Sequence, residues 1–386
     1  MLRVLTLSTL FPDAGRPSFG VFVERQTLGL AALGDVAVEV VCGRGVPPFP
    51  LSLHPHYRRI RTLPPRESWK GVTVHRPRFR AIPRLGDARA AEELAKAVLP
   101  LARKIRPDVI DAEFFWPDGV AAMHVAKALG IPFSIKARGS DIDYWGGRPG
   151  IRPQMIDAAR QAGGLLAVSE ALKQRMAALG MPGERTAVHY TGVDLDRFRP
   201  LDRSAAKASL GISGPLIAAV GALIPLKGQR LALQALALLP GATLMLIGDG
   251  PDAPALKGEA LRLGVADRTR FLGSQLHDAL PALVGAADVM LLPSEREGLA
   301  NAWVEALACG TPIVISDVGG AREVIDRPEA GRIVPRQPEA IGRAVRELLE
   351  NPPQPPEVRA AAERFSWDRN ARELRGHLMR ISAERH

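Results

Sequence analysis

Two doubly wound α/β domains joined by one linker are the architecture this sequence predicts. Three observations carry the prediction. The chain has 386 residues, enough for two domains. Apolar runs of strand length alternate with helical patterns through most of it. The alternation breaks once, at the charged, proline-containing "TGVDLDRFRPLDRS" (191–204), and then restarts.

The elements follow in order. The first strand is "RVLTLST" (3–9); a Gly- and Pro-containing loop follows, and a helix starts around Phe19. Strands come next at "VAVEVVC" (36–42) and "VTVHRPRF" (72–79). A helix over 88–105 leads to "DVIDAEF" (108–114), and one over 118–129 to "PFSIKA" (132–137). "GLLAVS" (164–169), a helix over 170–179 and "TAVHY" (186–190) complete the first half. Several of these strands are continuous apolar runs, the pattern of a parallel sheet covered on both faces. Beyond the linker come "PLIAAVGA" (215–222), a helix from Lys227, "ATLMLIGDG" (242–250) and a helix near 252–263. "RTRFLGS" (268–274), "DVMLLPS" (288–294), a helix near Asn301, "PIVISD" (312–317) and "GRIVP" (331–335) follow. "NPPQPPE" (351–357) precedes a helical tail. The expected division is 1–195, 196–362 and a helical tail over 363–386. Two such domains face each other across a cleft lined by strand C-termini, so loops directly after strands are the places to look for chemistry.

Composition narrows the function. Hydrophobic residues make up 46% and charged residues 24%, an ordinary globular balance. No run reaches the roughly 18 apolar residues of a membrane span, and the start lacks the pattern of a signal peptide. Cys42 and Cys309 form no metal-type pair, so a reduced, cytoplasmic protein is expected. The net charge is +10, and residues 54–89 alone hold ten Lys or Arg against Glu67 and Asp87. That stretch is either a solvated basic loop or a surface for anions such as acidic headgroups and phosphorylated acceptors. No nucleic-acid module accompanies it, so nucleic acid is not an expected partner.

Five loops are candidates for chemistry. In "GALIPLKGQ" (221–229), Gly221 and Gly228 permit a tight backbone, and Lys227 stands at a helix start. The helix dipole disfavours a cation there, so a bound phosphate explains the placement; a lysine without a ligand is the alternative. The spacing is not that of a Walker A loop. "IGDGPDAPAL" (247–256) places Gly248 and Gly250 after an apolar strand, a weak signal that a plain turn also explains. "EREGLANAWVEA" (295–306) puts Glu297 in a loop and Glu305 a turn or so into a helix. Carboxylates grip hydroxyls by charge-assisted hydrogen bonds, and amides beside Gly298 suit phosphate at the helix N-terminus. A ligand with hydroxyls at both ends and phosphates between, a nucleotide sugar, fits that pattern; a glutamate that merely complements the helix dipole is the alternative, and it explains one carboxylate but not the glycine and the spacing together. In "FPDAGRPSFGVFVERQ" (11–26), Gly20 lets backbone approach closely. The glycine spacing is not that of a dinucleotide fingerprint, which argues against a dehydrogenase. In "KARGSDIDYW" (136–145), Arg138, Ser140, Asp141 and Asp143 lie at a strand end, either lining the cleft or, for Asp141, capping a turn.

"GALIPLKG", "IGDGP", "FLGSQ", "EGLANAWVEALACGTPIV" and "YTGVDLDRFRP" together resemble glycosyltransferase family 4, the large retaining group with the GT-B fold. The N-terminal "RPSFGVFVERQ", "WPDG" and "RGSDI" resemble its bacterial surface-polysaccharide members of the teichuronic-acid type. The resemblance implies a UDP- or GDP-linked sugar donor, no further cofactor and no metal. Glu305 would hold the ribose hydroxyls and Glu297 those of the donor sugar. Gly298, Leu299, Ala300 and Asn301 would offer amides to the diphosphate and sugar, and Lys227 would stabilise the leaving group. The loop after the strand ending at Gly273 and Ser274 would contact the base. Gly20 would pack beside the diphosphate, and Gly221, Ala222 and Gly248 would shape the donor loops. Arg138, Ser140 and Asp141 would lie on the acceptor side, and the C-terminal tail would cross back onto the N-terminal domain. The acceptor would be a glycan or a polyprenyl-diphosphate-linked sugar at the inner membrane face, approached through residues 54–89 with Trp69 and Phe79 interleaved.

Two departures stand out. Ala222 replaces an arginine common in the family, leaving Lys227 without its usual partner unless an arginine such as Arg16 substitutes. Arg138 replaces a histidine, and arginine is no general base at neutral pH; phosphate on donor or acceptor is its expected contact. A catalytically weak binding subunit and a GT-B nucleotide-sugar epimerase are the alternative functions.

Overall fold

The computed structural model describes residues 1–82 and 86–384. It divides into two compact units, one formed by Met1–Gly192 with the segment from Trp367 onward, the other by Val193–Ser366. The expected borders at 195/196 and 362/363 thus lie a few residues away, at 192/193 and 366/367.

The first unit carries strands β1 (Leu2–Leu7), β2 (Val36–Val41), β3 (Arg44–Val46), β4 (Arg66–Trp69), β5 (Val72–His75), β6 (Arg78–Arg80), β7 (Val109–Ala112), β8 (Phe133–Ala137), β9 (Gly164–Ala167) and β10 (Thr186–Val188). Eight of them form one sheet in the order β10-β9-β8-β7-β1-β2-β5-β4. All neighbours are parallel except β4, which runs antiparallel to β5. β7, β8 and β9 are buried along their whole length, as central strands of a parallel sheet covered on both faces are, with Asp111, Ser134 and Lys136 as buried polar exceptions.

The strand expected over 72–79 is two strands. Pro77 has no N–H to give a ladder, and its carbonyl instead accepts from the Arg44 amide at 2.8 Å. There the chain leaves the main sheet to pair β6 with β3. β4 was not expected; it is a short polar edge strand after Pro64 and Pro65, with little apolar signal to betray it.

The helix Trp367–Ala383 completes this unit. Leu374, Leu378 and Ile381 pack with Val4, Leu30, Val36, Val109 and Leu166 in one buried cluster. Polar contacts fix its rotation: Asn370 Nδ2 donates to the Tyr190 carbonyl at 2.6 Å, and Ser134 Oγ lies 2.8 Å from His377 Nε2.

The second unit carries β11 (Leu216–Val220), β12 (Thr243–Ile247), β13 (Thr269–Gly273), β14 (Val289–Leu292), β15 (Ile313–Ser316) and β16 (Gly331–Val334). Their order is β13-β12-β11-β14-β15-β16, and every pairing is parallel. β11 shows why its run is continuous. Ile217 and Ala219 join Leu233, Leu236, Ile341 and Val345 in the core on one face. Leu216 and Ala218 join Ile212, Met245 and Ile247 on the other.

Candidate active site

In the second unit the strand order reverses between β11 and β14. Open α/β sheets bind ligands beside such a switch point, outside the C-terminal ends of the strands. After β11 the chain turns through a short helical turn, Pro225–Lys227, and Gly228 at φ 75° starts the helix Gln229–Ala237. Gly228 cannot be replaced freely, because a Cβ there would stand 2.3 Å from the Pro293 carbonyl oxygen. After β14 the loop Pro293–Ala300 leads into the helix Asn301–Ala308. The two loops are sewn together, with the Glu295 amide donating to the Leu226 carbonyl at 2.7 Å.

This stitching brings Lys227 to Glu297. Lys227 Nζ donates to Glu297 Oε1 at 2.5 Å, and Ser294 Oγ donates to the same oxygen at 2.8 Å. Two readings stood for Lys227, a cation placed for a bound phosphate or a lysine without a ligand. The protein supplies an anion itself, in Glu297, and Lys227 stays partly exposed. Ser294, fully buried, was not among the expected residues.

Glu297 and Gly298 are held from behind by the loop after β15. Gly319 at φ 52° has no room for a side chain, since a Cβ would lie 2.4 Å from the Glu297 carbonyl oxygen. The Gly320 amide donates to the Gly298 carbonyl at 2.8 Å. Leu299 and Ala300 are buried and Asn301 is half-buried at the helix start.

Glu305 lies in that helix, and His277 Nε2 stands 2.8 Å from its Oε1. His277 comes from the loop after β13 and packs edge-on against Phe198, with ring centroids 5.3 Å apart. Sequence reasoning missed His277, although a histidine just past a strand's C-terminal end was the available signal. Gly273 ends β13 at φ 64°, and the adjacent Ser274 is exposed.

The Gly-Asp-Gly turn has an internal reason. A Cβ on Gly248 would fall 2.0 Å from the Gly221 carbonyl oxygen, and one on Gly250 2.3 Å from that of Leu223. The loops after β11 and β12 touch backbone to backbone there. Ala222 is exposed, and its carbonyl accepts from Gln229 Nε2 at 2.9 Å.

In the first unit the expected residues divide. Gly20, at φ 73°, starts the helix Val21–Ala32, and a Cβ there would lie 2.5 Å from the Leu10 carbonyl oxygen. Its close approach is thus to this unit's own backbone. Ser140 is exposed. Asp141 is fully buried and accepts from the amides of Gly139 (2.8 Å), Arg138 (3.0 Å) and Phe115 (3.0 Å). Burial pushes its pKa up while those amides oppose the rise. These bonds are those of a carboxylate that caps a turn.

Arg138 is committed inward. Its guanidinium pairs with the buried Glu113, reaches Gln26 Oε1 at 3.3 Å, and lies 4.9 Å above the Phe22 ring. Beside it Lys136, also buried, donates to Gln26 Oε1 at 2.7 Å and lies 2.9 Å from His189 Nδ1. Burial drives the Lys136 pKa well below its ordinary value. Glu113, which sequence reasoning passed over, balances the cations here.

Within residues 54–89, Arg58, Arg61, Arg66, Lys70, Arg78 and Arg80 are exposed. Phe79 is buried and Trp69 only half-exposed with its Nε1 on Glu24, so the interleaved aromatics serve the interior. Pro83, Arg84 and Leu85 of that stretch lie outside the described residues. No helix among the described residues is long and apolar enough to cross a membrane.

The family model "Glycosyl transferases group 1" matches residues 202–366, and "Glycosyl transferase 4-like domain" matches 19–192. A putative teichuronic acid biosynthesis glycosyltransferase of Bacillus subtilis is 30% identical over 359 residues, covering 89% of this chain and 88% of that protein. A D-inositol 3-phosphate glycosyltransferase of Mycobacteroides abscessus is 36% identical over 211 residues, 52% of this chain and 47% of that protein. Among solved structures, sucrose-phosphate synthase of Thermosynechococcus elongatus superposes with a TM-score of 0.81 at 19% identity, covering 99% and 100% of the two chains. Anabaena HepE, solved with UDP-glucose, gives 0.76 at 21% identity over 98% and 100%. The chain therefore belongs to the group 1, family 4 glycosyltransferases and has their GT-B fold of two Rossmann-like domains.

Proposed function

We propose that this glycosyltransferase moves a sugar from a UDP- or GDP-linked donor, with retention of configuration, to a glycan or polyprenyl-diphosphate-linked acceptor in surface-polysaccharide synthesis. The observation that carries the reading is the Lys227–Glu297 pair at the switch point, backed by Ser294. The teichuronic-acid relative supports the polysaccharide setting. Solved neighbours that hold UDP and UDP-glucose support a nucleotide-sugar donor.

On this reading Glu305 takes the ribose hydroxyls and Glu297 those of the donor sugar. Charge gathers on the departing diphosphate as the sugar becomes oxocarbenium-like. Lys227, already oriented by Glu297, and the amides of Gly298–Asn301 stabilise that charge without reorganising. The acceptor attacks the face that the diphosphate leaves. Residues 54–89 give the chain a peripheral hold on an anionic membrane at its cytoplasmic face.

Thermal unfolding with UDP, GDP and NAD tests the donor half. A nucleotide at a hundred times its Kd stabilises by about 2.7 kcal/mol, a shift of several degrees for a chain of this size. A shift with UDP or GDP that Glu305→Ala abolishes is the expected result. A shift with NAD alone overturns the reading. Product anomers resolved by NMR test retention, and an inverted product overturns that part.

A further inference from the structure

The loop between β1 and the helix Val21–Ala32 gathers more positive charge than it neutralises. Its hub is Asp13, fully buried. Arg59 Nη1 donates to Asp13 Oδ1 at 2.8 Å, while Arg44 Nη2 at 3.2 Å and Arg16 Nη2 at 3.5 Å share Oδ2. Arg76 lies behind, with Nη2 donating to the Pro12 carbonyl at 2.6 Å and Nε to Glu67 at 2.5 Å. Four guanidinium groups thus meet two carboxylates, Asp13 and Glu67. One buried nitrogen on each is left without a protein partner: Arg16 Nε, Arg44 Nε, Arg59 Nη2 and Arg76 Nη1. Buried charge in excess of its partners is unfavourable unless a counter-charge arrives.

The cluster is also graded by exposure. Arg44 and Arg76 are 4% and 1% exposed, whereas Arg16 and Arg59 are each 31% exposed. Two arginines reach solvent, and two stand behind them to deepen the positive potential. The outer pair is held in place: Arg16 lies 4.1 Å over the Phe19 ring, and a Cβ on Gly15 would stand 2.4 Å from Arg59 Nη1. Planar guanidinium forks fixed this way match the oxygens of phosphate.

We infer that Arg16 and Arg59, backed by Arg44 and Arg76, form a phosphate-binding site in the first unit that receives the phosphate or diphosphate of the acceptor. This deepens the acceptor half of the proposed function and rests on that reading only for the word acceptor. The oxyanion could be carried by a lipid or by a soluble phosphorylated sugar, and the test separates them.

The probe is inorganic pyrophosphate, titrated calorimetrically into Lys227→Ala protein so that the donor loops contribute little. Adding Arg16→Gln or Arg59→Gln weakens binding by about tenfold or more each, while Arg61→Gln, an exposed arginine in the helix Pro55–Thr62 that also carries Arg59, leaves it unchanged. Thermal unfolding without pyrophosphate checks that each variant is folded. Equal loss in all three variants, or none with Arg16→Gln and Arg59→Gln, overturns the site. Displacement of pyrophosphate by UDP overturns the assignment to the acceptor. In a second arm, phosphatidylcholine vesicles carrying a polyprenyl diphosphate recruit the wild type. Dependence of that recruitment on Arg16 and Arg59 makes the oxyanion lipid-borne; pyrophosphate binding with no recruitment makes it soluble. A null result with UDP in the melting experiment removes the donor reading and leaves this one standing.

Discussion

Both glutamates of the donor loops already hold a partner, Lys227 for Glu297 and His277 for Glu305, so each carboxylate is oriented before any ligand arrives. On the proposed reading, Glu297→Gln keeps the shape but loses the charge that aims Lys227. Its kcat falls by about a hundredfold or more, in the range of a lost preorganised electrostatic contact, with a far smaller change in UDP binding; steady-state kinetics beside UDP calorimetry checks this. Gly228→Ala acts on stability instead. At φ 75° and 2.3 Å from the Pro293 oxygen, a methyl group fits neither the backbone nor the space. The expected loss is about 1–3 kcal/mol, measured by denaturant unfolding. The positions of Lys227 and Glu297 were legible because they lie in loops that follow strands, and that of Glu305 because it lies in the helix that such a loop leads into. Their partners were less so: Lys227 and Glu297 are 70 residues apart, and nothing local in the sequence announces an ion pair between the loops after two neighbouring strands. Arg138 shows the same limit, because its commitment to Glu113 depends on β7 and β8 lying side by side.

At the scale of elements, period and composition carried most of the fold. The strands of the second unit lie within the runs expected for them, because strands buried on both faces read as uninterrupted apolar stretches. β4 and the β3–β6 pair escaped because short polar edges carry no such signal. The helix Trp367–Ala383 has a pH dependence of its own. Burial, with help from Arg380 and Lys136, lowers the His377 pKa from 6.5 to about 4. Between those values the unfolded chain binds the proton and the folded chain does not. Stability from the neutral ring is therefore full above pH 6.5 and lost as pH falls toward 4. His377→Gln, which can still bond Ser134, is expected to make the first unit's melting temperature fall less steeply across that window. A profile as steep as wild type excludes His377 as the source.

For the whole molecule, the decisive fact is that one unit is continuous in sequence and the other is not. Residues 193–366 hold a complete six-stranded parallel sheet with its own core. Expressed alone, that piece is expected to fold and, on the proposed reading, to bind UDP with an affinity near that of the full chain, checked by calorimetry. Ending the chain at Ser366 has the opposite effect. It strips Leu374, Leu378 and Ile381 from the cluster around Val4 and Val109. Burying each such side chain is worth about 1.5–3 kcal/mol, so their joint loss rivals the whole stability of a domain. Circular dichroism and protease digestion should then show a folded second unit and an unfolded first. The placement of this returning helix was readable only as part of the family resemblance, since no local pattern says which core an amphipathic tail will cover.

The same discontinuity sets an order of events during translation. The eight-stranded sheet is fully encoded once Val188 has left the ribosome, yet the helix that covers Val4, Leu30 and Val109 is encoded only after Ser366. At about 5–20 residues per second, that is a wait of roughly 10–40 seconds. Throughout it the nascent sheet carries an uncovered apolar face, while the later-made second unit can finish folding first. A chaperone that recognises unfinished sheets has its window there, and the window closes when the helix docks.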